Sequence, residues 1–127
     1  MPNVLVVDDE VALLNLMRRY LERIGYSVEI RSDSLESLSL IAEEPGRFQL
    51  VIVDLSLPRL SGRDLVTKIV EINPETRVLI CSGEPFDCRT ILHGYPDRVR
   101  FLQKPFAAQM FAAVVEELVP SKAAASK

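Results

Sequence analysis

The side chains in this sequence that could do chemistry together are Asp8-Asp9, Asp54, Ser82 and Lys104, each standing where a short apolar run ends. A strand buried on both faces has little reason to end in bare carboxylates unless they share a partner. If the first and third runs lie side by side, as in the strand order 2-1-3-4-5, three carboxylates converge. Two unit charges ~4 Å apart interact by ~4 kcal/mol at an effective dielectric near 20, so such a cluster must protonate, bind a cation or pair with a base. Oxygen ligands held at one open edge suit a hard ion that keeps several waters, which points to Mg²⁺. Lys104 could supply a second positive charge. A cation and an ammonium beside a carboxylate form an apparatus for phosphoryl transfer, with a carboxylate as nucleophile and an aspartyl phosphate as intermediate.

Taken singly, each of these residues has an ordinary reading. Asp8-Asp9 could cap a helix, since Asp is favourable near a helix N-terminus. Asp54 could be a turn carboxylate, Ser82 a turn or cap serine, and Lys104 a solvated lysine. Only the constellation favours shared chemistry. His93 precedes Gly94-Tyr95-Pro96 and reads as a surface or packing histidine rather than a phosphotransfer donor. Cys81 reads as core and Cys88 as incidental, while Glu116 and Glu117 read as a solvated face.

The elements that must position these residues alternate along the chain. Asn3–Val7 is a continuous apolar run, too short for a helix and suited to a strand covered on both faces. Leu13, Met17, Tyr20, Leu21 and Ile24 then recur at helical spacing, with Arg18, Arg19, Glu22 and Arg23 opposite and Gly25 placed to end the helix. Tyr26–Ile30 predicts a second strand. Asp33 with Glu36 resembles a capping box for a helix through Leu35, Leu38 and Ile41, broken by Pro45-Gly46. Gln49–Val53 predicts a third strand, followed by a loop holding Pro58. Ser61 and Asp64 open a helix through Leu65, Ile69 and Ile72 that stops at Asn73-Pro74. Thr76–Cys81 is a fourth strand and Val99–Leu102 a fifth. Between them, Pro85, Gly94 and Pro96 leave room for a short helix around Asp87 to Leu92. A final helix spans Ala107–Val119 with Met110, Phe111, Val114, Val115 and Leu118 apolar, and Ser121–Lys127 reads as a frayed tail or the start of a linker. Strand–helix units with uninterrupted apolar strands imply a doubly wound α/β domain over residues 1–120, whose chemistry lies at the carboxyl ends of the strands.

Composition excludes other classes. At 127 residues, 48% hydrophobic and 26% charged, the chain has the make-up of one ordinary globular domain and not of a disordered one. A net charge of -3 gives no sign of a nucleic-acid surface. No apolar run approaches the ~20 residues of a membrane helix. Met1-Pro2-Asn3 lacks the basic start of a signal peptide, and two cysteines cannot make a disulfide framework or a four-ligand zinc site. The expectation is a cytoplasmic protein with reduced thiols.

Val-Leu-Val-Val-Asp-Asp-Glu at 4–10, Val-Ile-Val-Asp-Leu-Ser-Leu-Pro at 51–58 with Gly62, Ser82-Gly83, and Phe-Leu-Gln-Lys-Pro-Phe at 101–106 resemble the receiver domain of two-component response regulators, in order and over about residues 3–119. The resemblance implies the (βα)5 flavodoxin-like, or CheY-like, fold with a parallel five-stranded sheet in the order 2-1-3-4-5. It implies Asp54 as phosphoacceptor, Asp9 as a direct Mg²⁺ ligand, Asp8 holding a metal-bound water, and the Ser56 backbone carbonyl completing the protein ligands. Lys104 would pair with Asp54 and then with a phosphoryl oxygen. Ser82 occupies the hydroxyl switch position, Phe101 the aromatic switch that turns inward, and Pro105 follows a cis peptide. Ser56 and Glu84 sit at positions that tune how water reaches the acyl phosphate. The donor would be a sensor histidine kinase, a histidine phosphotransfer domain or a small phosphodonor. Output would pass to a downstream protein or a further domain through the surface built by the fifth strand and its flanking helices. The wording Ser-Gly-Glu-Pro-Phe and Phe-Leu-Gln-Lys-Pro-Phe is similar to receivers carried by hybrid sensor kinases.

Two other functions compete. A phosphorylation-independent interaction module of the same fold would be expected to lack an acidic or Lys position, and none is lacking here. A phosphatase of the haloacid-dehalogenase type needs Asp-x-Asp, whereas this chain has Asp54-Leu55-Ser56. No GxxxxGK phosphate loop is present, and no turnover of a separate substrate is expected.

Overall fold

β-branched runs without polar alternation become the centre of a sheet because both of their faces must be covered. In the computed structural model, which describes residues 2–55, 57, 59–83, 94 and 97–121, these runs form five strands. The elements are β1 (Asn3–Val7), α1 (Val11–Arg23), β2 (Ser27–Arg31), α2 (Ser34–Glu43), β3 (Leu50–Asp54), α3 (Gly62–Ile72), β4 (Arg77–Ser82), β5 (Val99–Gln103) and α4 (Ala108–Leu118). All pairings are parallel, in the order β2-β1-β3-β4-β5. The expected topology is therefore the observed one. Strand β1 is followed first by the edge strand β2 and then, on its other side, by β3, so the order reverses between β1 and β3 and opens a crevice at their carboxyl ends.

Two apolar layers cover the sheet. On one face Val4, Val6, Ile52 and Leu79 pack with Leu14, Met17 and Leu21 of α1 and with Phe111, Val115 and Leu118 of α4. On the other face Leu5, Val7, Val51, Val53 and Ile80 pack with Ile41 of α2 and with Leu65, Val66 and Ile69 of α3. Every residue of β3 is buried. At about 1.5–3 kcal/mol per fully buried aliphatic side chain, this double layer is the main force that fixes where each strand ends.

Several boundaries shift by a residue. The second strand starts at Ser27, and Tyr26 instead sits fully buried ahead of it, donating its hydroxyl to the Val119 carbonyl at 2.6 Å. The third and fourth strands extend through Asp54 and Ser82, so these polar residues end the strands themselves. On α2 the buried stripe is Ser34, Ser37 and Ile41, while Leu35 is exposed. The serines tolerate burial because each has a local partner: Ser34 Oγ accepts from Leu60 N–H at 3.0 Å, and Ser37 Oγ donates to the Asp33 carbonyl at 2.8 Å. Ile72 and Met110 are likewise exposed.

The helix ends follow local capping chemistry. Asp33 caps α2 by accepting from Leu35 N–H, and Ser61 caps α3 by accepting from Asp64 N–H. Gly25, at φ 109, takes the left-handed conformation that ends α1. Ser121, expected to fray, is buried and bound through its N–H to Glu116 Oε2 at 3.0 Å. The short helix expected around Asp87 to Leu92, together with Pro58, Cys88 and His93, lies outside the described residues. Among the described residues, no helix is long and apolar enough to cross a membrane.

Candidate functional site

Registry brings the polar strand ends together. Val7 pairs with Val53, so Asp8 and Asp54 emerge side by side from adjacent strands. Asp54 pairs with Cys81, and Ser82 with Gln103, which carries the line on toward Lys104. One carboxylate oxygen from each of Asp8, Asp9 and Asp54 lies within 4.8 Å of the others. Asp8 and Asp54 are buried, and Asp9 is exposed at the rim.

Asp8 is no helix cap. The N-terminal flanking residue of α1 is Glu10, which makes no side-chain cap bond, and Asp8 Oδ1 instead accepts from Glu10 N–H at 3.0 Å. That bond fixes the orientation of the carboxylate. Its other oxygen accepts from Lys104 Nζ at 2.9 Å, while the same ammonium stands 3.7 Å from Asp54 Oδ2. The expected Lys104–Asp54 pairing is thus an ionic contact, and the hydrogen bond goes to Asp8. Burial disfavours the Lys104 charge, but the hydrogen bond to Asp8 and the fields of Asp8 and Asp54 outweigh it and raise its pKa above the usual lysine value.

Backbone contacts hold this arrangement. Lys104 N–H donates to the Ser82 carbonyl at 2.7 Å, tying the exit of β5 to the end of β4, and the Lys104–Pro105 peptide is cis. Ser82 is buried at the end of β4. Gly62 opens α3 directly against the Asp54–Leu55 backbone, donating its N–H to the Leu55 carbonyl at 3.2 Å. A Cβ here would lie 2.5 Å from Leu55 Cα and closer still to the Asp54 carbonyl oxygen, so only glycine fits. Phe101 is part-buried against the α2 and α3 side of the core. Ser56 and Glu84 lie outside the described residues.

Two neighbours escaped the sequence reading. Cys81 is core as expected, yet it also lies within the electrostatic reach of the cluster. Burial pushes its thiol up to about 12, with Lys104 opposing and Asp8 and Asp54 adding to the rise. Its place opposite Asp54 follows from sheet register, which strand periodicity does not reveal. The second is a cavity of about 460 Å³ walled by Leu13, Gly83, Lys104, Pro105 and Phe106, assembled from three separate stretches of chain.

The donor set is all oxygen. Three carboxylates against one ammonium leave a net negative charge when all are ionised, which fits a hard divalent cation better than a soft one.

Comparison with known proteins agrees. The family profile "Response regulator receiver domain" matches residues 4–116. The chain is 30% identical over 116 residues to "Response regulator MprA" of Mycobacterium sp. (strain KMS), covering 91% of this chain and 50% of that protein. It is 28% identical to "Sensor kinase CckA" of Brucella abortus over 91% of this chain and 12% of that one. The chain thus spans about half the length, or less, of these relatives. Among solved structures, a CheY-like response regulator receiver domain protein from Methanospirillum hungatei superposes with a TM-score of 0.82 at 26% identity, over 92% of both chains. A response regulator protein from Burkholderia pseudomallei, solved with a phosphorylated aspartic acid, calcium ion and citrate, superposes with a TM-score of 0.76 at 26% identity, over 99% of this chain and 70% of that one. With a family match across nearly its whole length, the observed strand order and an acidic crevice at the point where that order reverses, this chain belongs to the response regulator receiver domain family.

Proposed function

We propose that this domain accepts a phosphoryl group on Asp54 from a histidine kinase, a histidine phosphotransfer domain or a small phosphodonor, and signals through a changed protein-binding surface. The observation that carries the reading is the convergence of Asp8, Asp9 and Asp54 on one point with Lys104 between two of them. Asp54 supplies the attacking carboxylate oxygen. Asp8, Asp9, Asp54 and the backbone carbonyl of Ser56 would hold Mg²⁺, which when bound neutralises charge on the phosphoryl oxygens. Lys104, now on Asp8, is close enough to Asp54 to pair with a new phosphoryl oxygen. The Ser82 hydroxyl donates to that group as well, and Phe101 turns inward as it does so. Ser56 and Glu84 tune the access of water to the acyl phosphate.

The added charge and acceptor oxygens would then shift the population of the surface made by β5 and α4. That surface carries the exposed Arg100–Glu117 pair at 2.7 Å. Output passes to a partner protein or to a further domain, and the reaction is confined to Asp54, with no separate substrate turned over. The reading places the domain in the cytoplasm, where the donor kinase acts. Incubation with a radiolabelled phosphodonor and Mg²⁺ tests it. Hydroxylamine-sensitive label is expected on the wild type and none on Asp54→Asn. Label persisting in that variant would refute the assignment.

A further inference from the structure

The cavity of about 460 Å³ shares Lys104 with the carboxylate cluster, and its other walls are Leu13, Gly83, Pro105 and Phe106. Its volume is that of a small-molecule site. The Lys104 ammonium meets Asp8 and Asp54, and the same residue walls the cavity together with Leu13 and Phe106, so one side chain stands between a charged compartment and an apolar one. Phe106 is held in place by stacking on Phe111, with ring centroids 5.3 Å apart. Gly83 directly follows Ser82, so this cavity opens where β4 ends, next to Asp54 in the sheet.

We propose that this cavity binds the leaving group of a small acyl phosphate and makes the domain selective for donors with an apolar acyl chain longer than acetyl. The proposal rests on Asp54 being the phosphoacceptor. In transfer, an Asp54 carboxylate oxygen bonds to phosphorus while the bond from phosphorus to the bridging acyl oxygen breaks. The bonding pair departs with that oxygen as a carboxylate, and no proton moves. Attacking and leaving oxygens lie roughly in line. Asp54 is buried at the carboxyl end of the central strand β3, so the leaving group departs away from that strand end, and on its β5 side the space walled by Lys104 is this cavity. An acetyl group leaves it largely empty. A butyryl group adds two methylenes to set against Leu13, Pro105 and Phe106.

Butyryl phosphate and acetyl phosphate release carboxylates of nearly equal basicity, so a difference in rate reports contact with the acyl chain. At subsaturating donor with Mg²⁺, label from butyryl phosphate is expected to appear roughly tenfold faster than from acetyl phosphate, from ~0.8 kcal/mol per buried methylene. The ratio should fall toward one in Leu13→Ala and Phe106→Ala, and persist in Met110→Ala, which alters an exposed apolar residue off the cavity. Should Phe106→Ala unfold, Leu13→Ala and a binding measurement remain decisive. 2-Oxopentylphosphonate, the butyryl phosphate analogue in which a methylene replaces the bridging oxygen, should bind about tenfold more tightly than 2-oxopropylphosphonate, the acetyl counterpart, and shift the NMR signals of Leu13 and Phe106. Equal rates and equal phosphonate affinities would overturn the inference and leave Asp54 as acceptor untouched. No label from either donor would overturn this inference alone, whereas label on Asp54→Asn would overturn the acceptor reading and this inference with it.

Discussion

Lys104, at the exit of the last strand, donates a 2.9 Å hydrogen bond to Asp8, at the exit of the first. The pair closes the crevice from its two flanks, and it is largely buried, with the Asp8 side chain 3% and the Lys104 side chain 20% exposed. A cation at Asp8 therefore competes with this ammonium for the same carboxylate, and the electrostatics of the two are linked.

Lys104→Ala should accordingly lower stability by about 1–3 kcal/mol in metal-free buffer, because it strands the Asp8 charge beside Asp9 and Asp54. Mg²⁺ affinity should hold or rise, since a competing positive charge is gone, and saturating Mg²⁺ should restore much of the lost stability. Urea unfolding with and without Mg²⁺ reads both effects. Loss of Mg²⁺ binding in the variant would contradict this division of roles. In the wild type, the raised pKa of Lys104 means its contribution is complete below the unfolded lysine value of 10.5 and disappears only as pH climbs through the folded one.

Gly62→Ala should destabilise by about 1–3 kcal/mol, as overpacking against backbone cannot be relieved by a rotamer change. The strain falls on Asp54 and Leu55 themselves, so phosphorylation should slow as well. Chemical denaturation together with a labelling time course separates the two effects. A Gly46→Ala control, where a Cβ meets nothing within 4 Å, should change neither.

Tyr26→Phe removes the 2.6 Å bond to the Val119 carbonyl and should cost about 1 kcal/mol. The loss is local to the join between α4 and the turn after α1, where Ser121 packs beside Gly25. Hydrogen exchange should speed up at the Ser121 N–H, now bound to Glu116, while amides in β3 stay protected. Faster exchange throughout β3 would mean that Tyr26 supports the whole sheet.

What was legible beforehand follows from physics that acts locally. Val4–Val7 and Val51–Val53 read as strands because residues covered on both faces must be apolar, and the polar residues ending those runs marked the crevice. The capping role of Ser61 was equally plain, since its partner is three residues away. Which exact partner a side chain hydrogen-bonds across distant segments was not legible. Lys104 meets Asp8 across 96 residues, Ser34 finds Leu60 across 26, and Tyr26 reaches Val119 across 93. Leu35 was expected on the apolar stripe of α2 and is exposed, while Ser34 and Ser37 are buried there because their tertiary and local hydrogen bonds replace apolarity. Lys104 makes the ionic contact with Asp54 that was expected, and its hydrogen bond to Asp8 was not foreseen. Only strand register decides which carboxylate it reaches.

Cys81 sets a pH limit on the fold. Its thiol, ordinarily ionising near 9.0, is pushed up to about 12 in the folded chain. Between those values the unfolded chain has released the proton and the folded chain retains it, so stability must fall as pH rises across that window and be unaffected below it. The slope for one such group is about 1.4 kcal/mol per pH unit. In Cys81→Ala this component is absent, so the stability difference between variant and wild type should narrow steadily from pH 9 upward. Urea unfolding from pH 7 to 11 measures it. The same burial predicts that Cys81 in a Cys88→Ser background resists alkylation at pH 8 until the chain is unfolded. Rapid alkylation of the native protein, or a difference that stays constant with pH, would show that Cys81 is not held beneath the carboxylate cluster in the way the sheet register places it.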